Sequence, residues 1–517
     1  MIRFIRAAVL AASKIRECKG ENIGMSEALQ KAREFESLYG SAVRPEQRPA
    51  FHLTPWIGWM NDPNGFSYYR GQYHMFFQYH PYDSHWGPMH WGHAVSTDLL
   101  HWDFLPCALA PDMPYDKDGC FSGSAIELPD GRQMLMYTGV RHEQDFSGQV
   151  REVQTQNLAF GDGVNYEKYP GNPVLTETDL PDGGSRYDFR DPKLLRLADG
   201  SYRALMANDQ RGIGGQILVY RSDDGLNWSL VGPLASNHNR LGLMWECPDY
   251  FHLDGYDVLL ASAQDMLPKD FEYHNGNGTF YLLGHGEGTD GPYEVESDHA
   301  VDYGIDFYAP QTVLTPDGRR VMIGWMQNWD TCNLHTRWVP WFGQMSLPRE
   351  LSVRNGILCQ QPIRELDLLR KDSVRHSDVV IRDKEISLPG IEGRTVDLEL
   401  ELESVGPVFS RFAIRIAKNE LYQTTVSFRP HESVLKIDRK FSGSRRAIIH
   451  QRRAKVRHDQ GKLKLRLILD RFSAEVFVGD GEQVLSATVS TDLTAQGISF
   501  YADGAVKLNV TKYTLQA

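Results

Sequence analysis

Long apolar runs are missing from this chain of 517 residues. Nowhere do about 18 apolar residues follow one another, so no membrane-spanning helix is expected. Cysteine is scarce as well. The six cysteines, Cys18, Cys107, Cys120, Cys247, Cys332 and Cys359, stand far apart, with neither a CxxC pair nor a zinc spacing. That argues against a disulfide framework or a structural zinc site and fits a reducing cytoplasm. Positive charge is in deficit, 55 Lys and Arg against 67 Asp and Glu, for a net charge of −12. No basic patch interleaved with aromatics is present, which excludes nucleic acid as a partner. The one basic cluster, Arg439-Lys440, Arg445-Arg446 and Arg452-Arg453, reads as exposed strand ends. At the N-terminus Arg3 and Arg6 precede Ala7 to Ser13, a short apolar segment followed by Lys14, Arg16 and Lys19. A secretory signal is the lesser reading. The expectation is a dispensable extension, or a start upstream of a true start at Met25, and a cytoplasmic protein.

Aromatics, by contrast, are plentiful at 11%, with 11 Trp and 23 Tyr. They suit strands, and sugar rings stack on their faces, although all-β cores are rich in them anyway. Leu29, Ala32, Phe35 and Leu38 fall at helical spacing between Ser26 and Tyr39, with Gly40 as a stop, which predicts a helix packed on the outside of the main body. From Phe51 to Trp341 the pattern is short strands and frequent turns.

Five of those segments share one plan: a strand, a turn ending in Gly, and a second strand. They begin at Asp62, Ser122, Asp191, Glu246 and Ala309, each nine residues before its turn glycine, Gly71, Gly131, Gly200, Gly255 and Gly318. A repeat of roughly 55 to 70 residues fits a four-stranded propeller blade with generous loops. Equivalent first positions would converge near the central axis, and three of the five are carboxylates: Asp62, Asp191 and Glu246. Convergent carboxylates at a propeller mouth suit acid/base or glycosyl-transfer chemistry, whereas a single Asp-Pro would be an ordinary loop feature. Two echoes, Ser96 to Trp102 and Ser222 to Trp228, are one residue short of a sialidase Asp-box and are expected at outer hairpins. Beyond the repeats, period-two alternation in Val396–Leu402, Lys462–Leu467 and Ala474–Val478 predicts half-buried antiparallel strands and hence a β-sandwich.

The motifs Trp59-Met60-Asn61-Asp62-Pro63-Asn64-Gly65, Phe121-Ser122-Gly123-Ser124, Phe189-Arg190-Asp191-Pro192 and Met244-Trp245-Glu246-Cys247-Pro248 together closely resemble glycoside hydrolase family 32, the invertase and fructanase family. The resemblance runs from about Phe51 to the chain end, through Met345–Leu351 and Ala474-Glu475-Val476-Phe477. It implies an all-β fold, a five-bladed propeller followed by a β-sandwich. We expect the N-terminal extension and helix over 1–50, the propeller over 51–343, a connector over 344–372 and the sandwich over 373–517. The counterpart of Asp62 is the nucleophile, that of Glu246 the general acid/base, and that of Asp191 the transition-state stabiliser. Asp62, between Asn61 and Asn64, has donors to keep it ionised, and Arg190 is expected to do the same for Asp191. Glu246, between Trp245 and Cys247, is expected in a less polar setting that raises its pKa. By motif position Trp59, Asn61, Gln78, Trp86, Phe121, Ser122 and Arg190 look like the wall of a fructose pocket, with Asp306 and Trp325 as further members. His85, His90 and His93 are interleaved with Trp86, Gly87 and Trp91 in strand-like sequence, and the family needs no metal or cofactor.

The expected reaction is retaining release of terminal β-fructofuranosyl units from sucrose or short fructo-oligosaccharides. Sucrose 6-phosphate hydrolysis and exo-inulinase activity are alternatives within the same chemistry. A fructosyltransferase would share the catalytic set, and a non-catalytic carbohydrate-binding propeller would not need three intact carboxylates. A sialidase would need a Tyr nucleophile and an Arg cluster that these registers lack. A homo-oligomer is left open.

Overall fold

A computed structural model of the chain describes residues 25–286, 288–291, 293–332, 339–443 and 449–516. The N-terminal segment and the Arg445-Arg446 pair lie outside them. Five antiparallel sheets form the propeller, and a larger set of strands forms the C-terminal sandwich. The inner strands of the five blades are Gly58–Tyr69, Gly119–Glu127, Gly184–Arg196, Trp245–Leu253 and Tyr308–Leu314. Each carries one of the five repeated positions. The turn glycines that follow them have φ between +80° and +88°, and a Cβ there would meet nothing. The conformation, not lack of space, therefore demands glycine.

Every inner strand is bulged where its motif lies. The register slips between Met60 and Pro63, Phe121 and Gly123, Arg190 and Lys193, Glu246 and Asp249, and Tyr308 and Gln311. Proline has no N–H for the ladder and is tolerated at a bulge, so Pro63, Pro192, Pro248 and Pro310 belong there. A bulge re-aims one side chain out of the alternation. Asp191 (φ +62°), Cys247 (+49°) and Ala309 (+50°) sit in the left-handed region as part of that turn-out.

Residues 349–362, expected in a connector, instead form two strands of the fifth blade, Arg349–Arg354 and Ile357–Pro362. The reason is local: Asn355-Gly356, both at positive φ, makes a two-residue hairpin turn. Between the second and third strands of that blade, Trp341-Phe342 pairs in parallel with Gly58-Trp59 on the inner edge of the first. After a short 3₁₀ turn at Arg364–Leu369, two long strands, Arg370–Ile386 and Gly497–Leu515, pair along most of their length. The second of these also joins Arg411–Lys418 near its start and Val396–Ser404 near its end, linking the two layers of the sandwich.

Helix α1, Glu27–Gly40, is N-capped by Ser26. Its buried face is Leu29, Ala32 and Glu36, while Leu38 points outward. It covers the outer edge of the first blade, the strand Asp103–Leu109. There the Cys107 N–H donates to Glu36 Oε1 (2.6 Å) and Arg33 Nε donates to the Cys107 carbonyl (2.9 Å). An unpaired edge needs such partners. The near-Asp-box segments form the same turn in blades one and three. Asp98 and Asp224 each accept two backbone N–H bonds between the third and fourth strands. No described helix is long and apolar enough to cross a membrane.

Propeller and sandwich meet across buried charge. Arg349, fully buried, pairs with Asp302 (3.0 Å) and with Glu475 (2.6 Å) of the sandwich. His52, just ahead of the first blade, lies 2.8 Å from Asp470 and 3.0 Å from Glu475. Burial alone would lower the pKa of His52, but those two carboxylates raise it to about 9. Glu475 thus explains why the motif around Ala474 matters: it bridges the domains.

Candidate active site

Bulged strands from blades one, two, three and four bring their motif side chains to one pocket of about 400 Å³. Its lining includes Asn61, Asp62, Gln78, Trp86, Phe121, Ser122, Arg190, Asp191 and Glu246. Nine of the twelve residues expected from sequence therefore come together.

Asp62 is almost buried. Its Oδ2 accepts from Ser122 Oγ (2.8 Å) and Cys247 Sγ (3.4 Å), and its Oδ1 from Asn61 Nδ2 (3.1 Å). Burial, then the charge on Glu246, push its pKa up to about 6 against those donors, which pull it down. Asp191 accepts from the Cys247 N–H (3.0 Å) and donates its own N–H to Thr138 Oγ1 (3.0 Å). Burial raises its pKa too; Glu246 and Asp62 add to the rise, and Arg190 opposes it. Desolvation thus outweighs the donors and the Arg190 charge expected to keep these groups ionised.

Glu246 is held differently from the apolar setting expected. Trp245 turns into the core, donating to the Leu241 carbonyl (2.9 Å) and packing on Phe280. Glu246 Oε1 instead accepts Nε (3.1 Å) and Nη2 (3.0 Å) of Arg190, and Oε2 accepts the Tyr308 hydroxyl (2.6 Å). Arg190 also holds Asp188 (3.0 Å) and lies 3.9 Å from Asp191. Burial would lower the Arg190 pKa, but Glu246 first, then Asp191 and Asp188, drive it up. The guanidinium is the fixed cation among these carboxylates.

Three expected wall residues are not at the surface of the pocket. Trp59 and Trp325 are fully buried behind it, with ring centroids 6.1 Å apart, and Trp59 also stacks on Phe342 (5.1 Å). Their large apolar rings fill the core better than a wet wall. Trp59 still acts on the site, since its Nε1 donates to Asn61 Oδ1 (2.9 Å). Asp306 is fully buried too, ion-paired to Arg439 (2.5 Å) of the sandwich. Arg439 is thus no exposed strand end: a buried carboxylate required a partner. His93 packs in the core on Phe76 (3.9 Å) and lies 3.0 Å from His74.

The sequence reading missed Glu152, Gln154, Tyr187, Asp188, Gln264, Asn277 and Trp329, which complete the lining. Glu152 and Gln154 lie on the hairpin Gln133–Gln144 and Val150–Gly161, whose 12-residue strands overhang the pocket. Trp329 and Asn277 sit in segments outside the nine-residue register, and nothing in that repeat pointed to them.

Comparison with known proteins places the chain in a family context. Residues 52–362 match the model of the glycosyl hydrolases family 32 N-terminal domain, and residues 365–516 that of the family 32 C-terminal domain. A raffinose invertase of Escherichia coli is 37% identical over 468 residues, covering 88% of this chain and 92% of that protein. A sucrose-6-phosphate hydrolase of Escherichia coli is 36% identical over 471 residues, covering 89% and 92%. Among solved structures, a family 32 β-fructofuranosidase of Bombyx mori is 33% identical with a TM-score of 0.78, over 95% of this chain and 98% of its own. A variant of that enzyme has been solved in complex with sucrose.

Proposed function

Because this chain belongs to glycoside hydrolase family 32, and is a fructosyl hydrolase of the β-fructofuranosidase type, we propose that Asp62 and Glu246 perform a two-step displacement with retention, assisted by Asp191. In the first step a carboxylate oxygen of Asp62 bonds to the anomeric carbon of the terminal fructosyl unit. The glycosidic C–O bond breaks, and the departing oxygen takes a proton from Glu246. Asp191 accepts hydrogen bonds from fructose hydroxyls as positive charge builds on the ring. In the second step water gives its proton to Glu246, its oxygen bonds to the anomeric carbon, and Asp62 is released. The observation that carries this reading is convergence: three carboxylates on bulged inner strands of different blades reach one pocket around one buried guanidinium.

The leaving group we propose is an uncharged sugar, as in sucrose or raffinose. Besides the three carboxylates the described lining holds Glu152 and Asp188, with Arg190 as its one cation. The nearby arginines Arg186 and Arg151 are already paired, with Glu143 and Asp145. Close like charges disfavour a phosphate dianion. The similarity to a sugar invertase and to an enzyme whose variant was solved with sucrose supports the same choice. The compartment we propose is the cytoplasm, on the strength of the buried free thiols of Cys107, Cys120, Cys247, Cys332 and Cys359.

Two measurements test this. Mass spectrometry after reaction with a slow fructosyl substrate should find the label on a peptide containing Asp62; label on another carboxylate overturns the assignment. Turnover of sucrose, raffinose, kestose and sucrose 6-phosphate should favour the uncharged sugars in kcat/KM, and a preference for the phosphorylated one refutes the electrostatic argument.

A further inference from the structure

The sandwich touches the segments that carry two residues of the pocket wall, Asn277 and Trp329. Its hairpin strands Val434–Phe441 and Gln451–Lys455 lean on two segments of the propeller, one in blade four and one at the start of blade five. On the blade-four side, Arg452 Nη2 donates to the Asn275 carbonyl (3.2 Å), and Arg453 and Lys455 stand over the Phe271 ring at 5.9 and 5.7 Å. Two residues further on, Asn277 lines the pocket and fixes its neighbour, accepting the Asp265 N–H at Oδ1 (3.1 Å).

On the other side, Arg439 Nη1 pairs with Asp306 Oδ2 and also donates to Thr488 Oγ1 (2.7 Å). The Thr488 N–H and hydroxyl donate to the same Asp306 oxygen, at 2.6 and 2.8 Å. The other oxygen of Asp306 accepts from Asn328 Nδ2 (2.5 Å). Asn328 Oδ1 in turn takes the Thr331 N–H (3.0 Å), closing a small loop that presents Trp329 to the pocket. Trp329 rests on Trp325 (5.0 Å), Trp325 on Trp59 (6.1 Å), and Trp59 donates to Asn61, the neighbour of Asp62. A small, partly open cavity of about 40 Å³, lined by Asn277, Asn328, Trp329 and Arg452 among others, lies where these segments and the hairpin meet.

Resting on the function proposed above, we propose that Arg439 is a positioning residue for substrate selection. Through Asp306 and Asn328 it sets the place of Trp329, and with Arg452 beside Asn277 it makes the sandwich responsible for the wall that blades four and five contribute to the pocket. The donors on the nucleophile, Asn61, Ser122 and Cys247, have no hydrogen bond to the hairpin and meet the wall only through the stacked rings of Trp59, Trp325 and Trp329, so the nucleophile is less displaced than the wall itself. What changes is the fit of the substrate against Trp329 and Asn277. Substrates that fill the pocket to different extents should therefore respond unequally.

The test uses the full-length chain with Arg439→Met, Arg439→Lys and Arg452→Ala. Initial rates are measured on sucrose, raffinose, 1-kestose and an aryl β-fructofuranoside, and melting temperature on each variant. Arg439→Met should change the kestose-to-sucrose ratio of kcat/KM by about fivefold or more, mainly through KM, with Arg439→Lys restoring much of it. Arg452→Ala, at a half-exposed site, should shift the ratio in a protein of near-native melting temperature, and it carries the test if Arg439→Met fails to fold. Ratios within about twofold of the parent in every folded variant overturn the proposal, because a purely structural arginine lowers all four rates together. If the parent chain itself releases no fructose, the function proposed above fails; if it does and the ratios stay fixed, only this inference fails.

Discussion

Replacing Asp62 with asparagine should change stability with opposite sign at the two ends of the pH range. Burial and Glu246 raise the Asp62 pKa from 3.8 to about 6. The native state therefore binds this proton more tightly than the unfolded chain does. A raised carboxylate pKa destabilises fully above the folded value, and the penalty fades as pH falls towards the unfolded value. A shift of about two units corresponds to about 3 kcal/mol at pH 8. Asparagine removes that charge but offers only one acceptor oxygen. Of the donors now facing the carboxylate, Ser122 and Cys247 on Oδ2 and Asn61 on Oδ1, one set loses its acceptor. That costs about 1 kcal/mol at any pH. The net gain is then about 2 kcal/mol at pH 8, turning into a loss of about 0.4 kcal/mol at pH 4, where about 0.6 kcal/mol of the penalty remains. With about 2.1 cal/mol/K per residue over 517 residues, the unfolding entropy is about 1.1 kcal/mol/K. The melting temperature should rise by about 2 °C at pH 8 and fall by about 0.4 °C at pH 4 relative to the parent, in a protein without hydrolytic activity. Differential scanning calorimetry across pH 4–8 reads this directly. A shift of the same size and sign at both ends would refute the claim that the site holds a charge it has desolvated.

Three further outcomes follow from the same geometry. Glu246→Gln should lower kcat on sucrose by about 10²–10⁴ and by markedly less on an aryl fructoside, whose leaving group needs little protonation; equal losses would remove Glu246 from the acid role. Arg349→Met should destabilise by about 3–5 kcal/mol, seen as a drop in denaturation midpoint, because Asp302 is left buried without its cation and Glu475 keeps only His52. His52 contributes stability that is complete below pH 6.5 and is lost as pH rises through about 9, so the parent's melting temperature should decline between pH 7 and 9.5 while that of His52→Gln stays flatter.

The register of the repeats made the inner strands and their carboxylates readable, since Asp62, Asp191 and Glu246 are each nine residues before a turn glycine that φ alone requires. The bulges were also written in the sequence, as a proline after the motif residue in four of the five strands. Side-chain direction was not readable in the same way. A tryptophan within a motif suits a sugar-facing wall or the core behind it, and only the packing of Trp59 on Phe342 and Trp325 decides for the core. Asp306 was misplaced because its partner, Arg439, is 133 residues away in another domain. The two strands of the fifth blade were hidden in a stretch read as connector, although Asn355-Gly356 marked the hairpin.

Pairing of Trp341-Phe342 with Gly58-Trp59 has a consequence for biosynthesis. The inner edge of the first blade, three residues from Asp62, finds its partner only after some 280 further residues have been made. His52 waits longer still, for Asp470 and Glu475 near the end of the chain. A nascent chain therefore carries an open strand edge and an unpaired imidazole through most of its synthesis. Open edges recruit other strands, and contacts so distant in sequence close slowly. Fragments released early should be inactive and prone to aggregate even when they contain every pocket residue, because the ring is sealed at a seam beside the nucleophile by residues translated long after it.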